Sequence, residues 1–205
     1  NDDSFAKQLA GLADVFVQDG FGVVHRAHAS TEAITHHLPS VAGLLLEREV
    51  DTITNVMHSP ERPLMAIVGG AKIADKLDVL NRFIEIADFV AVGGAMANTF
   101  LAAKDIPIGD SLYDKTEISV AKEIMKKADQ ESEKRRFIFA IPHDGVVANR
   151  IDKKEPTRIV DWSTHVIADI ENYPKRVPSS VGTIKTHEKI LDIGPFSASF
   201  IAGGI

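Results

Sequence analysis

The chain has no cysteine, which excludes a disulfide framework and a thiolate metal site and fits a reducing compartment. Aromatic residues are few, at 6%, and Trp162 is the sole tryptophan, set in a polar stretch that gives no specific signal. Positive charge is not in excess. Lys and Arg number 23 against 29 Asp and Glu, a net charge of −6, so no global field draws in a nucleic-acid backbone. No apolar run approaches the roughly 20 residues of a membrane helix. The start, NDDSFAK, has neither an initiator methionine nor a signal-peptide pattern, and the end is FIAGGI, so a longer parent chain is expected. What remains is 205 residues, 44% of them hydrophobic, enough for a soluble globular core.

The apolar pattern is that of an α/β protein. Asp3 or Ser4 can cap a first helix bearing Phe5, Leu9 and Leu12 on one face, and DVFV from Asp14 reads as a strand. QDGFG and HRAHAST come next as turn-rich sequence. Pro39 suits a first helical turn, and Val41, Leu44, Leu45, Val50, Ile53 and Met57 predict one long amphipathic helix to about Met57. HSPERP then stops it. Beyond lies an alternation: strand LMAIV, helix KIADKLDVLNRFI, strand FVAVGG, helix MANTFLAAK and helix EISVAKEIMKKA. RRFIFAIPHDGVV and the weaker STHVIADI read as further strands. This alternation predicts a doubly wound parallel sheet, Rossmann-like and three-layered, incomplete and joined to a piece of a second α/β domain. KKADQESEKRR mixes both charge signs and reads as a solvated helix end and loop.

IVGGAKIA and AVGGAMAN form a near-repeat, each strand, Gly-Gly-Ala, helix, one strand-plus-helix unit apart. Both turns should therefore lie at the carboxyl edge of the sheet, where open parallel sheets bind ligands. In the first, glycines allow backbone N–H groups close to an anion, and Lys72 and Lys76 lie about one helical turn apart. The spacing is neither that of the P-loop nor G-x-G-x-x-G, so a phosphate cradle and a plain turn with solvated lysines both stay open. The second turn, Gly93–Gly94–Ala95, lacks a cation and by itself suggests close packing. HRAHAS concentrates Arg26 between His25 and His28, a set suited to an anionic carboxylate or phosphate. A metal there lacks a third ligand at suitable spacing. His36 and His37 read as loop residues, and Asp144 is expected near the same carboxyl edge as the glycine turns.

FVQDGFGVVHRAHAS, ERPLMAIVGGAKIADKLDVL, FVAVGGAMANTFL and LDIGP, in this order, closely resemble the phosphoglycerate kinase family over nearly the whole chain. The resemblance implies residues 1–38 as the C-terminal part of a phosphoglycerate-binding domain, 39–61 as an interdomain helix and linker, and 62–205 as a truncated nucleotide-binding domain. It implies reversible phosphoryl transfer between 1,3-bisphosphoglycerate and magnesium-ADP, in glycolysis, by a cytoplasmic enzyme that is a monomer and binds neither nucleic acid nor membrane. By residue match, Lys72 would sit near the transferring phosphoryl group and Lys76 on the nucleotide's phosphates. Gly70 and Ala71 would add backbone contacts, and Asp75 would lie beside the nucleotide and its magnesium. Gly94 and Ala95 would line the adenine side, Ile190 with LDIGP another wall, and His25 and Arg26 would bind the phosphoglycerate.

The match has departures. Ala95 replaces a third glycine, Ile190 a glycine, His143 an apolar residue and Asn149 an aspartate. A first basic substrate-binding stretch, a WNGP segment and late glycine-rich loops of the family are absent from this chain, so residues 1–205 alone are expected to have little or no activity. A noncatalytic ADP- or ATP-binding module, or a scaffold with its sites unoccupied, are the competing readings.

Overall fold

The computed structural model describes residues 1–162, 180–181 and 183–203. They form two compact units, Asn1–Glu61 and Arg62–Ile205.

In the first unit, helix α1 (Asp3–Ala10) is capped by Asp2 rather than Asp3 or Ser4, its Oδ1 accepting from Phe5 N at 3.0 Å. Strand β1 (Phe16–Gln18) pairs in parallel with β2 (Ser40–Ala42). The expected long helix from Pro39 is thus corrected: 40–42 is extended, and α2 covers Leu44–His58. The cause is local pairing. The Pro39 carbonyl accepts from Phe16 N at 2.9 Å, drawing the chain into the ladder. The helix start is then set by Asp19, whose Oδ1 accepts from Leu45 N and Leu46 N at 2.7 and 3.0 Å. Buried apolar packing in this unit is modest, centred on Ala6, Ala29 and Ala33.

The second unit carries the main core. Strands β3 (Met65–Gly69), β4 (Phe89–Gly93) and β5 (Ile138–Ala140) form a parallel sheet in that spatial order. Helices α3 (Leu77–Ile86), α4 (Gly94–Ala103) and α5 (Ile118–Lys134) share one core with it, built on Leu80, Ile84, Val90, Val92, Phe100 and Ile124. Alternation along β4 sends Phe89 and Ala91 to the opposite face. There they meet Phe200 and Ile201 of α6 (Pro195–Gly203), with the Phe89 and Phe200 rings 5.9 Å apart. Helices on both faces make this the Rossmann-like α/β/α arrangement expected.

Two elements differ from expectation. RRFIFAIPHDGVV is not one strand: β5 ends at Ala140, and β6 (Asp144–Ala148) belongs to a second sheet. Pro142 lies at the break. It has no N–H for a ladder, and its carbonyl accepts from the Trp162 indole. In the second sheet β6 runs antiparallel to both β7 (Arg158–Asp161) and β9 (Lys189–Ile193), with the short β8 (Ser180–Val181) beside β7. The predicted strand STHVIADI lies outside the described residues. KKADQESEKRR, read as a helix end and loop, continues α5 to Lys134. Most of its charges are solvated as expected, with Lys126, Asp129, Glu133, Lys134 and Arg136 exposed, but two dock: Lys127 reaches Glu85 of α3 at 2.9 Å, and the Arg135 guanidinium donates to the carbonyls of Ile84 and Ala87.

Candidate nucleotide-binding site

The two glycine turns lie side by side. Gly69 and Gly93 are register partners at the ends of β3 and β4, as the near-repeat predicts for one sheet edge. Met96 N donates to the Gly70 carbonyl at 2.8 Å, tying the second turn to the first. The approach is close enough to require glycine at 94. Its φ is +64°, and a β-carbon there would come within 3.1 Å of the Gly70 oxygen.

After Gly70 the two turns diverge. The second enters α4 at once, whereas the first passes through a bend and a 3₁₀ turn (Ala74–Lys76) before α3 begins at Leu77. Lys72 and Lys76 are thus not on one α-helix, as their spacing suggests. Lys76 folds back over the turn, and a β-carbon on Gly70 would lie 3.3 Å from its ammonium. Lys72 is exposed and acts on Asp114, whose carboxyl is held below its usual value first by hydrogen bonds from the Thr116 hydroxyl and N–H and then by the Lys72 charge. Ala71 and Asp75 are exposed on the same turn. From beneath, the buried Glu117 carboxylate accepts from Ile73 N at 2.7 Å and Ala74 N at 2.9 Å, fixing the turn's backbone.

Beside the second turn is a pocket of about 190 Å³ lined by Gly94, Ala95, Asn98, Trp162, Ile190 and Leu191. Trp162 is pinned there, its Nε1–H donating to the Pro142 carbonyl at 2.8 Å. Its ring lies so close to Gly145 that a β-carbon would come within 2.6 Å of it. Ile190 is anchored by its N–H on the Ser111 hydroxyl at 2.8 Å, and its side chain packs on Val147, Val160 and Ile184. Asp144 also borders this pocket, as expected of its place near the glycine turns, but its carboxylate is consumed. It accepts from Ser197 Oγ, Ser197 N and Phe196 N at 2.6, 2.8 and 3.0 Å, capping α6.

Gly70, Ala71, Lys72, Asp75 and Lys76 thus form one turn, with Gly94, Ala95 and Ile190 at the pocket beside it. His25 and Arg26 belong to the first unit, exposed on the turn after β1, where Arg26 N bonds to the Val23 carbonyl at 2.9 Å and Thr31 Oγ1 to the Arg26 carbonyl at 2.5 Å. Among the described residues no group of three His, Cys, Asp or Glu side chains is gathered to hold a metal ion. None of their helices is long and apolar enough to cross a membrane.

The family model for phosphoglycerate kinase matches residues 1–205. The chain belongs to the phosphoglycerate kinase family. Phosphoglycerate kinase of Moorella thermoacetica is 38% identical over 205 residues, all of this chain and 46% of that protein. The enzyme of Desulforudis audaxviator is 48% identical over 158 residues, 77% of this chain and 38% of that one. The solved structure of phosphoglycerate kinase from Coxiella burnetii aligns with a TM-score of 0.69 at 30% identity, over 97% of this chain and 46% of that one. The chain therefore spans under half the length of these relatives.

Three residues around these two turns gave no expectation from sequence. Asn98 carried a legible signal, since position i+4 from Gly94 falls on the same face of α4. Glu117 and Trp162 carried none, because their partners Ile73 and Pro142 lie 44 and 20 residues away along the chain.

Proposed function

We propose that Gly69–Lys76 binds the phosphates of ADP and ATP, and that the pocket beside Gly94 and Ala95 takes the adenine. The carrying observation is the adjacency of an exposed lysine-bearing turn and an apolar-walled pocket at one sheet edge. A nucleoside diphosphate has the same two parts, a polyanion and a flat base. Gly70 and Ala71 offer backbone contacts, Lys76 binds the phosphates, and Lys72 stands nearest the transferring group.

The parent protein then carries out reversible transfer between 1,3-bisphosphoglycerate and magnesium-ADP, a glycolytic step placed in the cytoplasm by family. A β-phosphate oxygen of ADP bonds to the acyl-phosphate phosphorus as the bond from that phosphorus to the carboxyl oxygen breaks, leaving 3-phosphoglycerate and ATP. Such a step needs alignment and charge compensation more than covalent help, and lysines supply both. His25 and Arg26 in the first unit are the residues for the three-carbon acid. Magnesium fits as part of the nucleotide complex: Asp75 offers one exposed carboxylate, and a metal carried mainly by phosphates needs no cage of protein ligands. Its role when bound is to neutralise charge on the phosphate oxygens.

Calorimetric titration of magnesium-ADP into the purified chain tests the reading. Saturable binding weakened by Lys76→Ala is expected, and no binding by a folded sample would refute it. Residues 1–205 alone, under half the length of the relatives, are expected to bind without turnover, and substantial activity in a coupled assay would contradict that.

A further inference from the structure

A groove of about 360 Å³ lies between the end of α4, the helix α5 and the strand β5, and shares no lining residue with the pocket beside the second glycine turn. Its floor is apolar, made by the half-buried Met125, Phe139 and Ile141. Its rim is charged: Lys104, Lys122, Lys126 and Asp129 are all exposed. Lys122 and Lys126 stand at i and i+4 on α5, where like charges repel and weaken a helix. The other lysines of that helix are matched, Lys127 with Glu85 of α3 at 2.9 Å and Lys134 with Glu131 at 3.3 Å. Lys104, Lys122 and Lys126 have no ion-pair partner among the described residues. Unmatched cations gathered at the rim of an apolar hollow are a local conflict of the kind that binding sites keep.

We propose that this groove binds a small phosphate monoester with an aromatic body, the ring on the floor and the phosphate among the three lysines. Three ammonium groups less one carboxylate leave two positive charges at the rim. A phosphate monoester carries about −1.5 to −2 at neutral pH, so the charges match, whereas a single carboxylate leaves one in excess. Lysine suits this head, because each ammonium is a compact charge on a flexible stem and takes a phosphate oxygen from any side. The floor suits a ring. Phe139 is held edge-on by Phe100, with the ring centres 5.6 Å apart, and Met125 adds a thioether that packs well against an aromatic face. The volume is that of an ordinary small-molecule site. No residue of either glycine turn contributes, so the proposal stands independently of the nucleotide reading.

The test is calorimetric titration of 1-naphthyl phosphate into the chain, with inorganic phosphate and 1-naphthol as its two halves, and mapping of the backbone amide shifts. The joined probe is expected to saturate and to bind at least about tenfold more tightly than either half, moving the amides of Lys104, Lys122 to Asp129 and Phe139 to Ile141. The double variant Lys122→Gln/Lys126→Gln, checked for folding by thermal unfolding, should weaken it at least about tenfold. Lys104→Gln, which leaves α5 untouched, should weaken it in the same direction. Lys76→Ala and saturating magnesium-ADP should change nothing. No saturable binding to the folded chain would overturn the proposal, as would either half binding as tightly as the whole. Affinity kept in the folded lysine variants would remove the rim from the site and overturn it equally. Displacement by magnesium-ADP, with shifts confined to the glycine turns, would refute the groove and leave the nucleotide reading standing.

Discussion

The two glycine turns begin alike in sequence and end as different devices. Both leave a parallel strand at the same register, Gly69 opposite Gly93. The first sends only Ile73 into the core: Ala71, Lys72, Ala74 and Asp75 are exposed, and its backbone is tied down by the remote Glu117. The second plunges into it, with Met96, Ala97, Asn98, Thr99, Phe100 and Leu101 all buried. The residues after Gly-Gly-Ala decide the outcome. Lys-Ile-Ala-Asp-Lys leaves cations at the surface, and Met-Ala-Asn-Thr-Phe builds a wall. A repeated turn can therefore divide a ligand between a charged half and an apolar half.

That division can be broken from either side. The largest effect is expected in the second turn's helix. Phe100 is fully buried and its ring lies 5.6 Å from that of Phe139, so Phe100→Ala should cost about 3–5 kcal/mol of stability in denaturant unfolding. Lys76→Ala should do the opposite. It should weaken magnesium-ADP by about 1.5–3 kcal/mol, the worth of a charge-assisted hydrogen bond, and move stability by less than about 0.5 kcal/mol. A melting point lowered as far as by Phe100→Ala would mean the turns are not divided in this way.

Gly94→Ala joins both effects, because it forces a side chain at φ +64° and against Gly70. A loss of about 1–3 kcal/mol in stability is expected, together with weaker nucleotide binding. Glu117→Gln turns one of two acceptors into a donor facing a backbone N–H, so about 1–3 kcal/mol should be lost, with a faster-exchanging amide at Ile73 or Ala74. Unchanged exchange there would free the first turn from its support.

The smallest effect appears only in acid. The bidentate bonds from Arg158 hold Glu188 at a pKa of about 2, below its ordinary 4.5. Because the folded value is depressed, the contribution is complete above pH about 4.5 and is lost as pH falls toward 2. Glu188→Gln should flatten that limb of the stability profile and leave neutral-pH nucleotide binding intact.

How much of the molecule is legible in its sequence depends on where the bonding partners lie. The parallel sheet, the adjacency of the two turns and the lysines of the first were legible from 2.0 and 3.6 periodicity and from Gly-Gly-Ala twice. Features set by distant partners were not. Pro39 looked like a helix start until Phe16 claimed its carbonyl, and Pro142 divided an apolar run because Trp162 bonds to it. Asp144 was legible as lying near the glycine turns, but not that Ser197 takes its carboxylate. In the charged run, Arg135 found the end of α3, which no local pattern announces.

The division of labour between the turns is tested most directly by mapping backbone amide shifts of the chain with pyrophosphate and, separately, with adenosine. Pyrophosphate should move the amides of Gly70 to Lys76, and adenosine those of Gly94 to Asn98 and Ile190 to Ile193. Both ligands perturbing one common set of residues, or adenosine acting on the lysine turn, would contradict it.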